Sequence, residues 1–129
     1  MPSIFTKIIN GEIPCHKVAE NDRFLAFLDI SPLQKGHTLV VPKREVDEFF
    51  TLNDDTLREM IVFAKEVSFK IKKTFPCNRV GMTVIGLEVP HAHIHLIPIN
   101  QEKDMNFRSP KLDLSQEELA QVAEQLRMA

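Results

Sequence analysis

Three histidines alternate with apolar residues in the segment "VPHAHIHLIPI", positions 89–99. His91, His93 and His95 stand at every second position of what reads as a core strand. Because alternate side chains of a strand share one face, we expect the imidazoles to line one surface, each about 6.5–7 Å from the next. The aliphatic residues between them would then point into the core.

This spacing suits nucleophilic catalysis by the central imidazole. A neutral histidine has a pKa near 6.5, so it can attack an electrophile at neutral pH without much tuning. Attack on a phosphorus centre would give a phosphoryl-imidazolium that hydrolyses in a second step. The flanking histidines could donate to phosphate oxygens, which would account for three imidazoles rather than one.

Two other interpretations stay open from the residues alone. The histidines could form the solvent-facing polar side of an amphipathic strand. They could also bind a metal, with a third ligand drawn from His16, His37 or Glu88. The outer pair of a straight strand would lie about 13–14 Å apart, and no second spaced motif supports a metal site.

Composition indicates one globular domain spanning residues 1–129. The chain is 43% hydrophobic and 26% charged, as soluble domains are, and its net charge of -2 provides no basic field for nucleic acid or anionic lipid. No apolar run approaches the roughly 18–20 residues of a membrane span, and the first residues lack a signal-peptide pattern. Cys15 and Cys77 have no CxxC spacing and predict two free thiols. We expect a cytoplasmic protein that binds neither nucleic acid nor membranes.

Periodicity predicts an α+β fold with about five strands in a mostly antiparallel sheet, a long helix and a C-terminal helix. The predicted strands cover residues 17–20, 24–28, 37–41, 80–85 and 90–99. A short helix spans residues 4–9, the long helix starts after a cap at Asn53 or Asp54, and the last helix covers about 115–127 behind a Ser115–Glu118 capping box.

The long helix carries an apolar stripe that predicts its buried face. The stripe contains Leu57, Met60, Ile61, Ala64, Val67, Ser68 and Ile71. Val62 and Phe69 fall on the opposite face, seven residues apart. Stray exposed apolar residues are normal, but two on one face suggest a contact with a second subunit.

The sequence resembles the histidine-triad (HIT) superfamily, whose signature is His-x-His-x-His followed by two apolar residues. Residues 91–97 fit it, "IFTKIINGEIP" is similar to the family's opening segment, and "LAFLDISPLQKGHTLVVPK" to its central strand pair. The resemblance covers about residues 3–107 and is closest to the bacterial-type, Hint-like branch. It implies homodimers whose five-stranded sheets join, and nucleotide hydrolases or transferases that act at an α-phosphate.

The resemblance also implies roles for individual residues. His93 would be the nucleophile, with His95 and His91 placing donors on the phosphate and fixing the tautomer of His93. Asp29 would hold the ribose hydroxyls, although it could simply start the turn before Pro32. The other nucleotide-binding candidates are Phe5, Ile8, Phe27, Ile30, His37 and Glu88, of which the apolar ones could be core residues and His37 a structural one.

Two departures from the family pattern modify these expectations. Ser3 and Thr6 replace a Cys-x-x-Cys found in many bacterial relatives, so we predict no zinc and no cofactor. Leu87-Glu88 follows Gly86 where nucleotide-hydrolysing relatives carry Gln-Ser or Gln-Thr. We expect hydrolysis of a purine nucleotide phosphoramidate or dinucleoside polyphosphate through a nucleotidyl-histidine. The alternatives are a nucleotide-binding module with little turnover and a metal-binding histidine strand.

Overall fold

The computed structural model describes residues 2–129. Two short 3-10 turns, Phe49–Thr51 and Glu102–Met105, accompany three helices and five strands. The helices are α1 (Ile4–Ile9), α2 (Asp54–Thr74) and α3 (Gln116–Met128), and the strands are β1 (Lys17–Glu20), β2 (Phe24–Leu28), β3 (Thr38–Pro42), β4 (Arg79–Thr83) and β5 (Ile94–Ile99).

The strands form one sheet in the order β1-β2-β3-β5-β4. Each neighbouring pair is antiparallel. The predicted α+β class with a five-stranded antiparallel sheet is therefore confirmed. β5, which carries His95, is paired on both sides, with β3 and with β4.

The two faces of the sheet bury different partners. On one face α2 and α3 cover side chains that include Phe24, Ala26, Val40, Ile94 and Leu96. On the other face α1 packs through Phe5 against Leu25, Phe27, Leu39 and Val41. Side chains alternate along a strand, and Ile94 and Leu96 face α2 and α3. His95, which lies between them in β5, therefore points to the face on which α1 packs.

The cap of α2 was predicted correctly, but its buried face is rotated from the predicted one. The Asn53 side chain accepts the N–H of Thr56 and caps the helix. Ile61, predicted to be buried, is 42% exposed, whereas Phe63 is buried and its ring packs 5.7 Å from that of Phe24. The larger apolar area of the aromatic ring favours turning Phe63 inward.

The C-terminal helix follows its sequence signals. Ser115 and Glu118 form the expected capping box, with each side chain accepting a backbone N–H of the other. The predicted apolar face, Leu119, Val122, Ala123 and Leu126, is buried. This face closes the core over β1 and β2.

The predicted strand at residues 90–99 is wrong in its first part. β5 begins at Ile94, so His95 alone of the three histidines lies within the strand. Pro90 has no N–H to give to a ladder, the His91 N–H donates to the Val89 carbonyl, and the Ala92 N–H donates to Val46. Residues 91–93 therefore approach the sheet on an irregular path.

Two further observations bear on the class of protein. Within residues 2–129 no helix has both the length and the apolar character needed to span a bilayer.

Cys15 and Cys77 are both free thiols, as predicted.

Candidate active site

His93 has one ring nitrogen held by the main chain and one left available. Its Nδ1 lies 2.8 Å from the carbonyl oxygen of His91. A carbonyl can only accept, so Nδ1 carries the proton and Nε2 holds the free lone pair. The structure thus fixes the tautomer in which Nε2 can act as a nucleophile.

A second chain of hydrogen bonds fixes the protons of His37 and His95. The Leu33 N–H donates to Nδ1 of His37 over 3.0 Å, so the proton of the neutral His37 ring sits on Nε2. His37 Nε2 lies 3.0 Å from Nδ1 of His95 and donates to it. His95 consequently keeps its own proton on Nε2, on the side of the ring away from His37.

Burial keeps both of these rings neutral. Desolvation, helped by the neighbouring His95, lowers the pKa of His37 to about 3. Desolvation, with a smaller contribution from His93, lowers the pKa of His95 to about 4. At neutral pH both rings are therefore uncharged. His37 donates to His95, and His95 is left with its Nε2–H as a donor.

Asp29, His37 and His95 place three candidate ligand atoms within 4.8 Å of one another. A metal on this cluster would need the lone pair of His37 Nε2. That nitrogen bears the proton as long as Leu33 donates to Nδ1, so metal binding would require an imidazolate or loss of the Leu33 bond. The geometry favours a hydrogen-bond relay over a metal site.

His91 is placed differently from the expectation that its ring would donate to a phosphate. Its side chain is 0% exposed, Nε2 lies 2.8 Å from the Pro42 carbonyl, and Nδ1 lies 2.8 Å from the Ser3 hydroxyl. Both ring nitrogens are thus used within the protein. What His91 presents to His93 is its main-chain carbonyl, which accepts the proton of His93 Nδ1.

Asp29 divides its carboxylate between two tasks. Oδ1 accepts the N–H of Ser31 over 2.9 Å, which is the turn-forming role considered from sequence. Oδ2 lies 3.6 Å from His37 Nε2, beyond hydrogen-bond distance, and is available to a ligand. Burial raises the pKa of Asp29, while the Ser31 N–H and the Lys111 ammonium oppose that rise.

Apolar candidates form a wall beside His93. The Phe5 ring packs edge-on 5.0 Å from the His93 ring and 5.5 Å from Phe27, and Ile8 packs against the same cluster. Phe27 is buried beneath Phe5, whereas Ile30 is exposed next to Asp29. Phe5 is therefore the aromatic side chain in direct contact with the central histidine.

Leu87 and Glu88 are exposed ahead of the histidines and follow a half-buried Gly86. Gly86 has a φ of 72°, a left-handed conformation that glycine adopts without strain. Leu87 is 90% exposed, and the Glu88 carboxylate is near enough to Asp29 to oppose its ionisation. The structure thus brings Glu88 toward the nucleotide candidates without giving it a hydrogen-bond partner among the described residues.

Sequence reasoning missed Phe107 and Lys111. The Phe107 ring lies 4.9 Å from the His95 ring and 6.0 Å from the His37 ring. The Lys111 ammonium donates to the Phe107 carbonyl over 2.6 Å and lies 5.6 Å from the centre of that ring. A lone phenylalanine in a polar segment was the available signal, because an aromatic side chain seldom lacks an apolar partner.

Two open grooves lie away from these residues. They have volumes of about 450 and 440 Å³ and flank Arg23, at the opposite end of β2 from Asp29. Arg23 bonds to Thr56 and pairs with Glu59, and neither groove contains a histidine. The chemistry of the histidines, and not the volume of a cavity, therefore marks the candidate active site.

Comparison with known proteins identifies the family. The family model described as HIT domain matches residues 10–102. The chain belongs to the HIT family. HIT proteins are nucleotide-binding hydrolases and transferases, which agrees with a histidine whose Nε2 is left free.

Relatives match nearly the whole HIT chain. An uncharacterized HIT-like protein from Borreliella burgdorferi is 36% identical over 133 residues, covering 97% of this chain and 96% of that protein. An adenosine 5'-monophosphoramidase from Schizosaccharomyces pombe is 34% identical over 128 residues, covering 98% and 96%. The crystal structure of a Hit-like protein from Bartonella henselae has a TM-score of 0.84 at 29% identity, covering 98% and 95%.

The lowered histidine pKa values predict a loss of stability in acid. Unfolded histidine has a pKa near 6.5, so between pH 6.5 and 4 the unfolded chain binds more protons than the folded one, and the free energy of unfolding falls as the pH falls. We expect His37→Gln, which cannot be protonated at this position, to flatten that fall by up to about 1.4 kcal/mol per pH unit. Urea unfolding of both proteins between pH 7.5 and 4.5 measures the difference. Equal slopes would show that His37 is not held neutral.

Proposed function

We propose that this HIT protein is a cytoplasmic, homodimeric hydrolase that cleaves a bond to the α-phosphate of a purine nucleotide conjugate. His93 Nε2 attacks the α-phosphorus, the bond to the leaving group breaks, and a nucleotidyl-histidine forms. Water then attacks the same phosphorus and breaks the P–N bond. The products are the nucleoside monophosphate and the leaving group.

The observation that carries this proposal is the hydrogen bond from His93 Nδ1 to the His91 carbonyl. It selects the nucleophilic tautomer before substrate binds. When Nε2 becomes bonded to phosphorus the ring gains positive charge, and a charge-assisted bond to the carbonyl is stronger than a neutral one. The contact therefore favours the intermediate more than the free enzyme, which is what raises a rate.

His95 is proposed to act on the phosphoryl group. Its Nδ1 is occupied by His37, which leaves its Nε2–H as a donor, and the rings of His93 and His95 lie 4.9 Å apart. Negative charge on the phosphoryl oxygens grows during attack by Nε2 of His93. A neutral donor beside the nucleophile stabilises that charge without competing for the proton of His93.

The nucleoside is proposed to bind along α1 and the turn after β2. Asp29 Oδ2 would accept the ribose hydroxyls, and the base would lie against Phe5, Ile8 and Ile30, with Phe27 supporting Phe5 from beneath. The relative named adenosine 5'-monophosphoramidase supports an adenosine phosphoramidate as the first substrate to try.

Replacement of His93 tests the mechanism. We expect wild-type protein mixed with an adenosine phosphoramidate to show a nucleotidyl adduct by intact mass spectrometry under an acid-free quench. His93→Ala should show no adduct, and its turnover should fall at least about 1,000-fold, because the nucleophile of a covalent pathway is lost.

The matched control for this test is His16→Ala, which removes an imidazole that bonds to Gln116 at the start of α3. It should retain wild-type turnover. Turnover that survives in His93→Ala would refute the covalent mechanism.

A second candidate is a nucleotide-binding module with little turnover. It is favoured by the exposed Leu87 and Glu88, since neither can donate a hydroxyl proton to a leaving group and an ionised Glu88 repels phosphate. Nucleotide binding would use Asp29 and the apolar side chains of α1. The presence of Leu87-Glu88 in place of Gln-Ser or Gln-Thr leaves those residues unchanged. The step expected to slow is the departure of the leaving group from the α-phosphate.

Glu88→Ser separates the two candidates. If Glu88 limits catalysis, the variant should gain at least about tenfold in turnover of the phosphoramidate, through the added hydroxyl donor and the lost repulsion. AMP affinity by calorimetry should change little. A wild type that binds AMP and turns over no substrate, together with an active Glu88→Ser, would establish the binding module. Equal turnover in both would mean that position 88 does not control the leaving group.

The homodimer is proposed to use the outer face of α2. Val62 and Phe69 are 56% and 64% exposed, and both stand on the side of the helix away from the sheet. Large apolar side chains on one face gain free energy when a second copy covers them. β4 is the edge strand next to this helix, so its unpaired backbone groups could join a second sheet.

Charge on this face tests the dimer. Val62→Glu/Phe69→Glu should be monomeric by light scattering at concentrations where wild type is dimeric, because burying two carboxylates against a second copy is unfavourable. Glu66→Gln, a change of one charge on the same helix, is the control. The same oligomer in the double variant would exclude this face as the interface.

A further inference from the structure

Four polar side chains from three distant segments meet behind His93. Ser3 and Thr6 come from the start of α1, Glu45 follows β3, and His91 precedes β5. We call Ser3, Thr6, Glu45 and His91 the N-terminal cluster. The mechanism proposed above uses none of their side chains.

The Glu45 carboxylate is the acceptor at the end of this cluster. Its Oε1 accepts the backbone N–H of Ser3 and the hydroxyl of Thr6, each over 2.6 Å. These short bonds are typical of an ionised acceptor. The bond from the Ser3 N–H, with a further contribution from the Thr6 hydroxyl, lowers the pKa of Glu45 to about 2.

The protons of the N-terminal cluster can be placed by elimination. Thr6 gives its single hydroxyl proton to Glu45, and His91 Nε2 gives its proton to the Pro42 carbonyl. His91 Nδ1 is therefore an acceptor, and the Ser3 hydroxyl, 2.8 Å away, donates to it. The Ser3 oxygen in turn accepts the Thr6 N–H over 3.1 Å and caps α1.

These bonds control the group that fixes His93. With both ring nitrogens bound, His91 is held at its side chain, and its main-chain carbonyl is thereby aimed at Nδ1 of His93. Residues 91–93 lie outside the regular sheet, so the ladder of β5 does not hold this carbonyl. The Ala92 N–H on the same peptide unit bonds to the Val46 carbonyl, and the side-chain bonds of His91 add a second restraint from the other end of the residue.

We propose that Glu45 is a positioning residue for His93: through Ser3 and His91 it sets the direction of the carbonyl that selects the nucleophilic tautomer. It touches neither the substrate nor the reacting atoms, and its Oε1 lies 4.0 Å from His91 Nδ1. The inference rests on the role proposed for His93 as the nucleophile, and it adds a specific device that keeps His93 ready to react.

The effect should fall on the chemical step rather than on nucleotide binding. Phe5, the wall of the proposed base site, is carried by α1 but is also anchored 5.5 Å from Phe27 in the core. Loss of the Glu45 bonds therefore leaves that wall in place. The N-terminal cluster therefore bears on the start of α1 and on the orientation of the His91 carbonyl, and not on the contact between Phe5 and Phe27.

Glu45→Ala is the direct test, with three measurements. Imidazole ¹⁵N NMR should show a single Nδ1–H tautomer for His93 in wild type and a mixture in the variant. Nucleotidylation by an adenosine phosphoramidate should slow about tenfold, within the range that a small misplacement of a reacting group causes. The dissociation constant for AMP should stay within about twofold of wild type.

Matched variants separate positioning from folding. Glu45→Gln keeps an acceptor oxygen without the charge and should lie between wild type and Glu45→Ala. Glu48 lies in the same segment, and its exposed carboxylate makes no capping bond. Glu48→Ala should therefore behave as wild type. Should Glu45→Ala fail to fold, Ser3→Ala replaces it, since it disconnects His91 while the main-chain N–H of residue 3 still reaches Glu45.

The outcomes decide between the possibilities. A folded Glu45→Ala or Ser3→Ala with the wild-type His93 tautomer and the wild-type rate of nucleotidylation would overturn the proposal and leave the N-terminal cluster a cap for α1. If wild type itself forms no adduct, the proposed function fails, but the tautomer comparison by NMR still confirms or overturns the positioning role of Glu45.

Discussion

The active site depends on one hydrogen bond, from Nδ1 of His93 to the main-chain carbonyl of His91. That carbonyl is free to accept because β5 begins only at Ile94. In a regular central strand the carbonyl groups on either side are consumed by the neighbouring strands. The irregular approach of residues 91–93 therefore leaves His93 with a free Nε2, and the backbone N–H groups that it removes from the sheet are satisfied by Val89 and Val46.

The same principle extends to the other histidines, since groups that do not titrate fix each ring. The Leu33 N–H sets the proton of His37 and, through it, that of His95, while the Pro42 carbonyl sets that of His91. Backbone amides keep their donor or acceptor character at every pH. They fix the tautomer of each ring, while burial lowers the pKa of His37 and His95 and keeps these two rings neutral over the range in which an exposed histidine would titrate.

Much of the fold follows from local signals. Caps at Ser3, Asn53 and Ser115 mark the helix starts, and the strands at 17–20 and 24–28 lie where the sequence places them, the second as an apolar run that ends before the turn at Pro32. The errors occur where two patterns compete. Ile61 and Phe63 belong to two alternative apolar stripes of α2. The structure buries the stripe that contains Phe63, whose ring packs against Phe24. Alternation alone could not reveal that Pro90 and the turn at Val89 delay β5.

The sequence by itself determined the chemistry available: three alternating imidazoles, a carboxylate before a turn, apolar strands that form a five-stranded sheet, and membership of the HIT family through the motif at 91–97. Tertiary structure alone decided what each imidazole does. His91 bonds to Ser3, 88 positions away, and His37 to His95, 58 positions away. A histidine becomes nucleophile, donor or anchor according to which partner meets each nitrogen, and those partners come from distant segments that only the folded core brings together.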